Sequence, residues 1–247
     1  MFNRASHVTT ARVRAADGDI GPVMDLLLDD CSWVVRYLLV DAGCWLRERE
    51  VLISPYSIKQ PGLLAGVIEV ALTRRLVRAS PAFDLPVSSA QEREFMRHYR
   101  YPAYWDGGGL WALGATPYPS VAPLPDAERG ISSYPVGMHL RSAKGLEGFE
   151  VRGAAQGLGQ VEDLVFDELS WQLRYLVVDT HAWWPGGRPA LISLAWVDGI
   201  DWAGQQIHVA LGRPQLKASL SYWGVASMES DDEALLHANY RCPGHRA

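Results

Sequence analysis

The sequence predicts a mainly β protein: two tandem small β-barrels, each followed by short helices, joined by a linker rich in Gly, Pro and aromatic residues. Three observations predict it. The stretch SWVVRYLLVD (32–41) returns as SWQLRYLVVD (170–179), an offset of 138 residues. The apolar runs in each copy are short, β-branched or aromatic, and bounded by turn residues. One of them, VVRYLLVD, is apolar on both faces, which suits a strand inside a closed barrel better than one at an open edge.

The repeat extends well past those ten residues. When 13–45 is set against 151–183, 16 of 33 pairs are identical, among them Gly21/Gly159, Asp25/Asp163, Arg36/Arg174 and Trp45/Trp183. One residue is then inserted near WWPGGRP, and at an offset of 139 VLIS (51–54) meets ALIS (190–193) and IEVAL (68–72) meets IHVAL (207–211). Two units of this size are a tandem duplication rather than a solenoid.

The elements follow in order. VMDLLLDD (23–30) reads as a strand running into acidic turn residues, and VVRYLLVD (34–41) as its hairpin partner across Asp-Asp-Cys-Ser. EVLIS (50–54) and VIEVAL (67–72) are further strands. TRRLVRAS (73–80) has room for one or two helical turns, with Thr73 as N-cap. The second copy places Pro214 at an early helical position, where proline is tolerated. Ser89-x-x-Glu92 and Ser230-x-x-Glu233 have the spacing of capping boxes, each opening a short helix. These readings give a first unit over 1–104, a linker over 105–137 and a second unit over 138–247. Trp105, Trp111 and Tyr118 make the linker more aromatic than a free connection, so it is expected to pack on something.

Composition narrows the function classes. The 247 residues are 48% hydrophobic and 21% charged, with ten Trp, ten Tyr and a net charge of −5. That balance speaks against a nucleic-acid partner, which needs a concentrated positive field. Arg74, Arg75 and Arg78 form only a small basic patch. The three cysteines, at 31, 44 and 242, form no CxxC and read as free thiols in a reducing, cytoplasmic setting. The N-terminus lacks the apolar core of a signal peptide. No run approaches the roughly 18 apolar residues of a membrane span, which leaves peripheral contact as the only expected membrane role.

With these residues assembled, the chain resembles a tandem PRC-barrel protein, the family of the cytoplasmic barrel of the photosynthetic reaction-centre H subunit. The resemblance is carried by LRSAK, GFEVRG and GLGQVEDLVFDELSWQLRYLVVDTHAWWPGGRPALIS within 140–193, by HVALGRPQLKAS (208–219), and by the matching first copy. It implies a small, strongly bent barrel in each unit and a role in protein–protein assembly. The first copy departs from the pattern after Trp45, where Arg47-Glu48-Arg49 replaces the family's Pro-Gly turn.

Candidate chemistry is sparse. Asp25 with Arg36, and Asp163 with Arg174, are candidates for a structural ion pair. A two-residue hairpin loop sets Asp25 opposite Arg36; a three-residue loop sets it opposite Tyr37. Such a pair fixes register more than it adds stability. No nucleophile or base lies near in sequence, so no catalytic residue and no enzyme activity is expected. His237, Cys242 and His245 are the nearest approach to a metal set. Their spacing is not a standard one and a fourth ligand is missing, so no metal or cofactor is expected. DGGGLWALG (106–114) has neither the preceding strand nor the following Lys of a phosphate loop. Trp45, Trp183 and Trp184 sit at strand ends, either as lids on the core or as a rim for a partner. The expected function is a non-enzymatic interaction module with a protein partner, compatible with a homodimer. The alternative is a small-molecule or pigment-binding protein using an aromatic inter-lobe cleft.

Overall fold

Each copy is organised by one long strand that changes partner along its length. The structure is a computed structural model describing residues 2–46, 49–62, 66–112, 114–118, 140–154, 156–186 and 189–218. In the first copy, β2 (Arg12–Ala15) pairs with the start of β3 (Gly18–Asp29), and β4 (Val34–Asp41) pairs with its end. A sheet of order β5-β4-β3-β2-β6 is completed by β5 (Glu50–Ile53) and β6 (Val67–Glu69), the latter parallel to β2. Helices α2 (Arg74–Arg78) and α3 (Ser89–Tyr99) follow.

The second copy repeats this order. Strands β8 (Glu150–Arg152), β9 (Gly157–Asp167), β10 (Leu173–Asp179) and β11 (Ala190–Ser193) precede β12 (Val197–Asp201), β13 (Gln206–Val209) and helix α4 (Arg213–Ala218). Their sheet has the order β11-β10-β9-β8-β13-β12, with β13 parallel to β8. No helix among the described residues is long and apolar enough to cross a membrane.

The fold is mainly β, but among the described residues neither sheet closes into the barrel the sequence predicted. The two copies differ after the fourth strand of each. Ser54 accepts from the amide of Tyr56 and turns the chain out of β5 into a 3-10 turn, Pro55–Ser57. After it, among the described residues, the chain meets the segment around β6 at one bridge, Ile58 to Val70, with Lys59 donating to the Glu69 carbonyl and Ala71 to that of Ser57. Ser193 caps the matching turn Leu194–Trp196, and there the chain goes on as a full strand, β12, paired with β13.

Gly21 and Gly159 mark where the long strands change partner. A Cβ on Gly21 would lie 1.7 Å from the Asp41 carbonyl oxygen, and one on Gly159 would lie 1.9 Å from that of Asp179. Only glycine lets the end of β4 or β10 approach so closely.

The hairpin turn is longer than either loop weighed from the sequence. Residues 30–33 connect β3 to β4, and Trp33 takes a left-handed φ of 59°, as Trp171 does at 58° in the second copy. A register shift then follows between Leu27 and Leu28, which oppose Tyr37 and Val35 and pass over Arg36. The cap of α3 also shifts by one residue. Ser88, not Ser89, is the N-cap, and its box partner is Gln91 rather than Glu92. Glu92 serves a different purpose: it is fully buried, accepting hydrogen bonds from Tyr37 (3.1 Å) and Tyr104 (2.7 Å). Thr73 caps α2 as expected. The Ser230 box lies outside the described residues.

The chain divides into two compact units, and their boundaries do not follow the copies. One unit holds 7–143 together with 168–172; the other holds 1–6, 144–167 and 173–247. Strand β7 (Leu140–Ser142), which precedes the second copy, pairs with β3 of the first. Strand β1 (Phe2–Arg4), which precedes the short helix α1 (Ala5–Thr9) and the first copy, pairs with β9 of the second. The registers match: Ser142 lies opposite Leu27, and Arg4 lies opposite Val165.

Candidate functional site

Three of the four residues read as ion-pair candidates do two different jobs. Arg36 is buried and pairs not with Asp25 but with Asp29, at 3.1 Å. The four-residue turn and the register shift account for the change of partner. Asp29 is fully buried and well supplied with donors: the amide of Cys31 at 2.9 Å, the Ser32 hydroxyl at 2.5 Å and the Arg36 guanidinium. Arg36 also donates to the Leu110 carbonyl at 2.5 Å. The Tyr104 ring covers its guanidinium at 3.8 Å and the Trp111 ring lies at 5.0 Å. The start of the aromatic linker is therefore docked over a buried cation. Trp111 and Tyr118 extend that docking by donating to the carbonyls of Ser170 and Glu168.

Asp25 and Asp163 receive the strands that come from the other copy's side of the sequence. Asp25 accepts from the Ser142 hydroxyl. Asp163 accepts from the Ser6 hydroxyl at 2.6 Å and lies 3.7 Å from the Arg4 guanidinium. In both copies the same carboxylate takes the next residue's amide, Leu26 at 2.7 Å and Leu164 at 2.8 Å. The register sets Asp163 opposite Val177, while Arg174 falls at the register shift between Leu173 and Tyr175.

Trp45, Trp183 and Trp184 are all half-exposed. Trp45 donates its indole N–H to the Ile20 carbonyl at 2.7 Å, and Trp183 donates to Leu158 at the same distance. Cations cover both: Arg74 over Trp45 at 4.4 Å, Arg213 over Trp183 at 4.6 Å. The basic patch predicted at Arg74 and Arg78 is thus used against an indole face. Trp184 also has a cation near its ring, Lys217 at 5.8 Å. It stacks on Trp183 at 6.0 Å and stays half-exposed beside exposed Pro185 and Gly186.

Two other groups bear on chemistry. Asp29, Asp30 and Cys31 could in principle gather round an ion. Asp29 pairs with Arg36 and Asp30 with Arg141 at 3.0 Å, and partial burial together with these carboxylates pushes the exposed Cys31 thiol up. Cys31 and Cys44 are free thiols. His237, Cys242 and His245 lie outside the described residues.

Tyr99 and Tyr101 stack at 5.5 Å, and burial pushes both phenols up, that of Tyr99 to about 12. Neighbouring Ser80 and Ser57 offset only part of this. A phenol whose folded pKa exceeds its unfolded value of about 10 holds its proton more tightly in the native state. Stability is then full below pH 10 and falls as pH rises toward 12. Thermal melts at pH 9, 10 and 11 should show little change over the first step and a clear loss over the second. An unchanged midpoint at pH 11 would contradict the burial of these rings.

Sequence reasoning missed Asp29 and Glu92 as buried charge partners. The available signal was their neighbourhood, an acid at a hairpin corner and an acid among apolar residues on a helix. No protein-family model matches the chain, and no curated protein matches it.

Proposed function

We propose that the chain is a tandem pair of PRC-type barrels acting as a non-enzymatic assembly module that binds a protein partner. The long bent strands turning at Gly21 and Gly159, and the repeated strand order, support the barrel relationship. The observation that carries the interaction role is Trp184, a half-exposed indole stacked on a second indole. Trp and Arg at a partly exposed, rigid position are the residue types that anchor interfaces. The polar clusters described above are spent on internal pairing, which fits a scaffold.

The test is affinity capture with two full-length baits, wild type and Trp184→Ser, followed by mass spectrometry. The expected result is a protein retained by wild type in near-stoichiometric amount and lost from the variant, with the melting temperature unchanged. Identical recoveries from both baits remove Trp184 from the interface. No stoichiometric partner for either bait overturns the module reading.

A further inference from the structure

A cleft of about 620 Å3 lies in the unit that holds the first copy, lined by Met24, Asp41, Arg49, Glu50, Phe83 and Leu85 among others. Three features set it apart. First, apolar side chains stand exposed on two of its walls: Met24 at 41% on β3 and Leu85 at 53% on the segment after α2. Second, its charge is one-sided. Asp41, Glu50 and Asp84 face one cation, Arg49, whose guanidinium is already donating to the carbonyls of Arg78, Ser80 and Pro81. Third, its backbone is unused. Residues 82–87 make no backbone-to-backbone hydrogen bond among the described residues, and β5, whose first residue is Glu50, is the last strand on its side of the sheet.

We infer that this cleft binds an extended peptide segment of a partner protein, with lysine or arginine flanked by apolar residues. The inference rests on the reading of the chain as a protein-binding module and names the chemistry of what it binds. An extended segment alternates its side chains, so apolar residues reach Met24, Phe83 and Leu85 while basic ones meet Asp41, Glu50 and Asp84. Its backbone finds open amides and carbonyls along 82–85, as in other cases of strand addition. An acidic peptide meets like charge in the same place.

The probe is a fluorescein-labelled octapeptide of alternating leucine and lysine, read by anisotropy with the full chain. A second peptide replaces every lysine by glutamate. The lysine peptide is expected to bind, and to bind less tightly as salt is raised. Leu85→Asp and the pair Glu50→Lys/Asp84→Lys are each expected to weaken it by roughly tenfold or more, a loss of about 1.4 kcal/mol. Leu169→Asp, which alters an exposed apolar residue outside the cleft, leaves it unchanged. Failure of the lysine peptide to bind, equal binding of the glutamate peptide, or full binding by Leu85→Asp overturns the inference. So does a concentration-dependent dimer abolished by Leu85→Asp, which would make a second copy of the chain the occupant. A partner captured through Trp184 and retained by a Leu85→Asp bait would leave the module reading standing while the cleft fails.

Discussion

Gly21→Ala is expected to destabilise its unit by about 3 kcal/mol or more, the upper range for a forced steric overlap. The added methyl would stand 1.7 Å from the Asp41 carbonyl oxygen, and both sides of that contact are backbone. No side chain can swing away to relieve it, so β3 and the end of β4 have to part. Gly159→Ala meets the equivalent carbonyl of Asp179 at 1.9 Å and should behave alike in the other unit. Gly108→Ala is the control. Nothing lies within 4 Å of its added Cβ, and surface changes of that kind stay within about 0.5 kcal/mol. Urea denaturation followed by circular dichroism measures all three. If Gly21→Ala unfolds at the wild-type midpoint, the close approach that defines the bend is wrong.

Arg36→Ala should cost about 3–5 kcal/mol, the usual range when one partner of a buried ion pair is removed. The guanidinium is 3% exposed, and its loss leaves the Asp29 carboxylate buried without its cation. The linker loses its seat as well, since Tyr104, Trp111 and the Leu110 carbonyl all rest on Arg36. Asp29→Asn/Arg36→Met removes both charges and keeps an acceptor for the turn amides. It should recover part of the loss, because an apolar stem can replace a buried ion pair at little cost. A single variant as stable as wild type would show the pair to be energetically idle.

The strands were legible in the sequence because their signal is local. A run such as VVRYLLVD states its own conformation, and its return in the second copy states it twice. The partner of Arg36 was not legible, because it depends on one extra turn residue and one register shift, and a shift of one position moves every side chain in a strand. Glu92 matched a capping box by spacing, yet two tyrosines distant in sequence draw it into the interior. The cleft draws its lining from four separated stretches, around residues 24, 41, 50 and 84, so no motif could announce it. Strands β1 and β7 are three residues each, FNR and LRS, too short to carry a periodic signal.

Those two short strands have a consequence for inheritance. The duplication is visible as two similar stretches of gene, but the sheets are not allotted one to each. A cut between the copies would yield a piece that carries FNR and lacks LRS, and another that carries LRS and lacks FNR. The first would keep Asp25 without the Ser142 hydroxyl that it accepts from; the second would keep Asp163 without Ser6 and Arg4. Neither half of the gene encodes a whole sheet, so each sheet draws one three-residue strand from the sibling's side of the sequence.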